Sequence, residues 1–226
     1  MRKSRERRRR GLFVAEGPRE VQRAREAGLI VHATYFAPEL LAWDDGVEVS
    51  ARVLAKMAYR AEPEGVLAIV GIPEREVPAD ATLILVAVGI EKPGNLGAMA
   101  RPANAAGADA LLVGDAYADP WNPNAIRAST GAVFTLPIAE VTLDDVRALS
   151  LRKVAAVVDA PARYTDTDLT RPTAFIVGSE DDGLDEDWRE AADEHVAIPM
   201  RAQSSDSLNA ATSAGVLLFE AVRQRG

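Results

Sequence analysis

Four short runs of the chain are almost wholly apolar, and each stops at a glycine or a polar loop. They are TLILVAVGI (residues 82–90), ALLVG (110–114), KVAAVVDA (153–160) and AFIVG (174–178). A strand with water on one face alternates apolar and polar side chains. A strand that does not alternate has both faces covered, as parallel strands between helix layers do. Helix-compatible stretches separate these runs, around residues 95–107, 124–131, 143–149 and 188–192. Strands alternating with helices predict an α/β domain with a mostly parallel sheet. Further short strands are expected at 133–138 (VFTLPI) and at 196–199, the second leading through a polar loop to Ser207-Leu208-Asn209. A helix rich in small residues follows (Ala210, Ala211, Ser213, Ala214, Gly215), with Leu217, Leu218, Phe219 and Val222 for a core. Ser207 reads as its N-cap.

The first of these units could be taken for a nucleotide fold, since a strand, a glycine turn around Asn95 and a helix succeed one another. The glycines, however, fall at 94, 97 and 107, which is not the G-x-G-x-x-G spacing, and no acidic residue is placed to hold a ribose. A dinucleotide-dependent oxidoreductase is therefore disfavoured.

Upstream, residues 11–77 read as a smaller α/β unit. GLFVAEG is a strand, and Pro18 opens a helix that runs to residue 27 and stops at Gly28. LIVHATYFA is a strand, and short helices are expected at Leu40–Leu41 and 53–57. GVLAIVGI (65–72) is another buried strand. The polar, two-proline segment 73–81 places the boundary near Pro78, giving domains 1–77 and 78–226. No catalytic constellation stands out in the first.

Charge is uneven. The first ten residues, MRKSRERRRR, carry seven basic side chains and one acidic. The whole chain is at −8, so the remainder stands at −14. The basic stretch reads either as a flexible phosphate-binding arm through Arg7, Arg8, Arg9 and Arg10, or as a solvated N-terminus. On an acidic body, any RNA contact surface must be local. There is no cysteine, and His32 and His195 are isolated, so disulfides and thiolate metal sites are excluded and a histidine metal site is not expected. No apolar run approaches the roughly 20 residues that span a bilayer. No signal-peptide pattern follows the basic start. The expected location is the cytoplasm.

Three strand ends carry unusual loops: Asn95 to Arg101 (NLGAMAR), Gly178 to Gly183 (GSEDDG), and IPM at 198–200 with SLN at 207–209. In open α/β sheets, ligands collect at the C-terminal ends of strands. In this order, these motifs resemble the SPOUT-class RNA ribose 2′-O-methyltransferases of the TrmH type. The resemblance covers about residues 82–223. NPNAIRASTGAVFTLPI looks like the segment between the first two motifs. VAEGPREVQRA and EPEGVLAIV are similar to the ribosomal-protein-like RNA-binding extension of such enzymes.

The resemblance implies a deep C-terminal trefoil knot, a homodimer, and S-adenosylmethionine as methyl donor. The adenosine is then held at Val177, Gly178, Gly183, Ile198, Met200, Leu208 and Asn209. Arg101 is the implied catalytic residue, with Asn95 fixing its loop and Glu180 orienting Asn95 or Arg101. Ser207 and Asn209 hold loop and substrate, and Arg127 either meets RNA phosphate from the dimer partner or forms a surface salt bridge. No metal is required, because the sulfonium is already an activated donor. The chain departs from the pattern at Pro102, which is expected to kink or restart the helix carrying Arg101. It departs again at Ala202, in a loop (202–206) longer than usual. The extra N-terminal domain favours ribosomal over transfer RNA. The alternative from another class is a catalytically silent RNA-binding assembly factor.

Overall fold

The computed structural model describes residues 3–115, 117–201 and 207–226. The first part of the chain runs α1 (Ser4–Arg10), β1 (Leu12–Glu16), α2 (Pro18–Glu26), β2 (Val31–Phe36), β3 (Val47–Glu48), α3 (Ala51–Met57) and β4 (Val66–Gly71). Its four strands lie in the order β1-β4-β2-β3. β4 is antiparallel to both neighbours, and β2 pairs β3 in parallel. Pro18 stands at the first turn of α2, where its missing N–H has no intrahelical role. The Leu40–Leu41 pair forms only a turn, with both amides bonded to the Ala37 carbonyl, because Pro38 and the following loop give it no periodic face to bury.

The second part runs β5 (Leu83–Val88), α4 (Pro93–Ala105), β6 (Ala110–Gly114), α5 (Pro123–Ser129), β7 (Ile138–Val141), α6 (Leu143–Arg147), β8 (Arg152–Ala156), β9 (Ala162–Arg163), β10 (Thr173–Val177), α7 (Glu186–Glu190), β11 (Glu194–Ala197) and α8 (Ala210–Arg225). Its seven strands form one all-parallel sheet in the order β7-β6-β5-β10-β8-β11-β9. Every residue of β5 and β10 is buried. Leu83, Leu85 and Ala87 face a core shared with α4, α5 and α8. Ile84, Val86 and Val88 face a second core with Val146 of α6 and Trp188 of α7. The two covered faces are why these runs lack alternation.

Local chemistry departs from the sequence reading in two places. Residues 133–137 are not strand. Thr130 and Gly131 adopt left-handed φ of 52° and 90°, a 3-10 turn follows over Ala132–Phe134, and the strand begins only at Ile138. The turn sends Phe134 into a stack with Phe13 of β1, ring centroids 5.5 Å apart. Nor does the helix at Arg101 restart: α4 runs unbroken through Pro102, and the Ala106 N–H bonds back to the Pro102 carbonyl at 2.9 Å. Buried Leu96, Met99, Ala100 and Ala103 anchor α4 on both sides of the proline. That packing outweighs one lost helix hydrogen bond.

The basic stretch is not a free arm over residues 4–10. It is α1, and Arg7 is only 2 % exposed. Its Nε and Nη2 donate to Asp119 Oδ2 at 2.8 and 2.5 Å, and Asp119 Oδ1 accepts from the Trp121 amide at 2.9 Å. Arg7 is thus a structural link between α1 and the loop before α5, not a surface for RNA. Arg8 pairs with Glu140, and Arg9 and Arg10 with Glu6; these three remain exposed. Phe13, stacked on Trp121 at 5.2 Å, completes the junction. Arg7→Ala leaves the buried Asp119 carboxylate without its guanidinium, so a loss of about 3–5 kcal/mol is expected in denaturant unfolding. An unchanged midpoint would show the pair to be unimportant.

Candidate functional site

All seven parallel strands deliver their C-terminal ends to one edge, and a cavity of about 520 Å³ opens there. Its walls come from the ends of β8 (Ala156, Val157, Val158), β10 (Val177 to Leu184) and β11 (Val196, Ile198, Met200), and from Ser207, Leu208, Ala210 and Ser213 at the start of α8. The size is that of a site for a ligand of cofactor dimensions.

The floor is a tight hairpin. The Gly183 amide donates to the Ser179 carbonyl at 3.2 Å, and the Asp182 amide to Ser179 Oγ at 3.1 Å. A Cβ on Gly178 would lie 2.3 Å from the Gly183 carbonyl group, so only glycine lets the two limbs close. Gly183 itself turns through φ +70°, the left-handed region. The sequence GSEDDG therefore specifies a backbone shape more than a set of side chains.

Glu180 ties this hairpin to α8. Its Oε1 accepts from Asn209 Nδ2 and, at 3.4 Å, from the Ala210 amide. Asn209 Oδ1 in turn accepts from the Ala211 and Thr212 amides at 3.0 and 3.3 Å. The N-cap of α8 is thus Asn209, two residues beyond the expected Ser207, since the Asn amide can cap the helix and reach Glu180 at once. Glu180 contacts neither Asn95 nor Arg101 directly by hydrogen bond among the described residues; its role is to fix the third loop on the second.

Asn95 lies in an adjoining crevice with Ile90, Glu91, Lys92 and the 179–182 limb of the hairpin. Of the expected ligand-binding residues, Val177, Gly178, Gly183, Ile198, Met200 and Leu208 line the main cavity, and Asn209 braces it through Glu180. Arg101 does not line it. It is exposed farther along α4, in a shallow hollow with Ala98, Pro102, Ala105 and Ala128 of α5, with no side-chain partner among the described residues. Arg127 bonds Asn124 Oδ1 at 3.0 Å on the exposed side of α5. Ala202 and the longer loop 202–206 fall outside the described residues.

The sequence reading missed the β8 end and Arg189. KVAAVVDA reads as a strand, and a parallel strand must also end at the edge where the cavity opens, so the sequence carries that signal. Arg189 is engaged by the Leu184 carbonyl at 3.2 Å and by Asp159 at 3.4 Å. Val157, Leu184, Val196, Ile198 and Leu208 give the walls apolar stretches between Ser179, Ser207 and Ser213, and Glu180, Asp181 and Asp182 also line the cavity. Apolar stretches beside a cluster of carboxylates suit a ligand with a flat apolar part and a positive charge.

Comparison with known proteins finds two matching family models. Residues 82–219 match the SpoU rRNA Methylase family, and residues 1–68 the MRM3-like substrate binding domain. The chain is 32 % identical to the 23S rRNA (uridine(2479)-2′-O)-methyltransferase of Streptomyces viridochromogenes, over 95 % of this chain and 84 % of that protein. Among solved structures it resembles an RNA 2′-O ribose methyltransferase at 41 % identity and a TM-score of 0.85, covering 99 % of this chain and 92 % of the other. It also resembles the SpoU methyltransferase AviRb of Streptomyces viridochromogenes in complex with AdoMet, at 30 % identity and a TM-score of 0.86, covering 99 % and 94 %. No described helix is long and apolar enough to cross a membrane. With more than half its length matched, and strand order and cavity in place, this chain belongs to the SpoU rRNA methylase family.

Proposed function

We propose that this chain is an S-adenosylmethionine-dependent RNA methyltransferase that modifies a ribose 2′-OH, with ribosomal RNA as substrate. The observation that carries the reading is the cavity at the strand ends, closed by a glycine hairpin that Glu180 and Asn209 bolt to α8. Its residues fit the cofactor. Apolar walls suit an adenosine, the free backbone around Gly178, Ile198 and Leu208 can bond its edges, and the acidic rim favours a sulfonium and an ammonium. When bound, S-adenosylmethionine supplies an activated methyl group whose transfer leaves a neutral thioether.

The chain's own residues have two tasks, alignment of the ribose oxygen and stabilisation of its developing negative charge. A guanidinium is a fork of hydrogen-bond donors with no acceptor, so Arg101 serves as a clamp on phosphate and oxyanion and not as a base. Asn95 lies in the crevice beside the hairpin, and its proposed role is to fix the loop geometry around Arg101.

We further propose that two copies pair through α4 and α8. Phe219 and Val222 are 48 % and 37 % exposed on α8, and Pro102 of α4 lies beside Gly215 of α8. Pairing on this face sets Arg101 at the seam, which accounts for its absence from its own chain's cavity. The end of α8 is also the thread of the proposed trefoil knot. Gln224 and Arg225 bond the backbone at Thr167, Leu169, Arg171 and Thr82, beneath the segment that precedes β10. The match of residues 1–68 to a substrate-binding domain supports an RNA-binding role for residues 1–77, and relatives named as 23S rRNA methyltransferases support ribosomal over transfer RNA. The reading places the protein in the cytoplasm, with its substrate.

Titration calorimetry is expected to give a cofactor dissociation constant on the order of micromolar. Absence of binding would favour the silent assembly factor. Arg101→Ala is expected to abolish tritiated methyl transfer to ribosomal RNA with cofactor affinity retained; near-normal turnover would remove Arg101 from the reaction. Gly178→Ala is expected to do the reverse, weakening cofactor binding by distorting the hairpin at a cost of about 1–3 kcal/mol. Phe219→Glu is expected to yield a monomer in sedimentation, and a persistent dimer would place the interface elsewhere.

A further inference from the structure

We infer that the seam between the two sheets is a track for a single-stranded stretch of RNA leading to Arg101, with Tyr59 as its stacking platform and Arg127 as its phosphate contact. The inference rests on the methyltransferase reading and extends it to how the strand is held beyond the reacting nucleotide.

Tyr59 is 43 % exposed, yet its backbone is firmly held. Glu16, at the end of β1 and 7 % exposed, accepts from the amides of both Tyr59 and Arg60, the latter at 3.2 Å. A buried carboxylate fixing two successive loop amides spends a costly group on holding this loop in one shape, and that shape leaves the ring outside the core. Fixed exposed aromatic rings are how proteins stack unpaired bases, at low cost in side-chain entropy.

From Tyr59 the seam continues onto the second sheet. Asn124 Nδ2 faces Tyr59 Oη at 3.5 Å, and Asn124 Oδ1 accepts from Arg127 Nη2 at 3.0 Å. The next residue of α5, Ala128, shares the surface hollow of Arg101. α5 and α4 move as one piece, because Gly97 lies against the Ala125 carbonyl, where a Cβ would come within 2.1 Å. Tyr59, Asn124, Arg127 and Arg101 thus follow one another along a continuous, rigidly supported surface.

Charge selects the occupant. Neither Arg101 nor Arg127 has a carboxylate partner among the described residues, whereas Arg60 pairs with Glu64 and Arg8, Arg9 and Arg10 of α1 pair with glutamates. On a chain so acidic overall, two unneutralised guanidinium groups beside a held ring fit a phosphodiester strand with an unstacked base.

The test uses the full-length protein, a short fluorescein-labelled oligouridylate and fluorescence anisotropy. Tyr59→Ala is expected to weaken binding about tenfold, and Tyr59→Phe to stay within about twofold, since the ring and not the hydroxyl carries the stacking. Arg127→Ala is expected to weaken binding and lower the salt slope by about 1. A 4-thiouridine oligomer is expected to cross-link to the peptide containing Tyr59. Unchanged cofactor affinity verifies that each variant is folded. Wild-type binding that neither Tyr59→Ala nor Arg127→Ala alters, with methyl transfer at an unchanged KM, overturns the track and leaves the methyltransferase reading standing. Loss of affinity in these variants with no methyl transfer by the wild type supports the track and removes that reading.

Discussion

The sheet of seven parallel strands can exist only with helices on both of its faces. Parallel strands cannot be joined by hairpins, so each crossover must carry the chain across one face and bring it back in the same direction. Two consequences follow from that one constraint. The strands become apolar throughout, as β5 and β10 are, with odd and even positions feeding two separate cores. And every strand ends at the same edge, so loops distant in sequence become neighbours. The cavity is the product of that shared edge, and no single loop contains it.

What turns neighbouring loops into one site is a small polar joint. The Gly178–Gly183 hairpin supplies a fixed backbone surface, and α8 supplies the opposing wall. Glu180 and Asn209 connect them, with Asn209 also capping the helix. The joint uses charge and hydrogen bonding where the strand ends leave the apolar core, and Val157, Val196, Ile198 and Leu208 remain as apolar wall beside it. The junction with the N-terminal sheet works differently. There Phe13 stacks between Trp121 and Phe134, and the Arg7–Asp119 pair is buried nearby, so the two sheets share one continuous core. A substrate-binding element held this way presents its surface at a fixed place relative to α4 and α5.

Much of this was legible in the residues. The unalternating runs gave β5, β6, β8 and β10, and Pro18 and Gly28 bracketed α2. Those signals are local: each depends on the side chains of one short segment. The misreadings share the opposite character. Residues 133–137 have strand-forming side chains, but Phe134 is drawn into an aromatic stack with a residue more than a hundred positions away. The basic stretch 4–10 looks solvated until Asp119 is brought to Arg7. Pro102 ought to interrupt a helix, yet buried neighbours before and after it hold α4 together. Ser207 is a good cap by type, but Asn209 answers to two demands, the helix and Glu180.

The sequence alone determined the parallel, doubly covered sheet, the glycine-bounded loop at 178–183 and the strand-end segments 177–183 and 198–208 that line the cavity, because burial pattern and glycine geometry are properties of short segments. Only the tertiary structure decided that Arg101 stands outside the cavity, that Arg7 is buried in an ion pair, and that Glu180 holds Asn209. Each of those depends on which distant carboxylate, helix or strand end arrives beside the residue, and that is fixed by the packing of the whole chain.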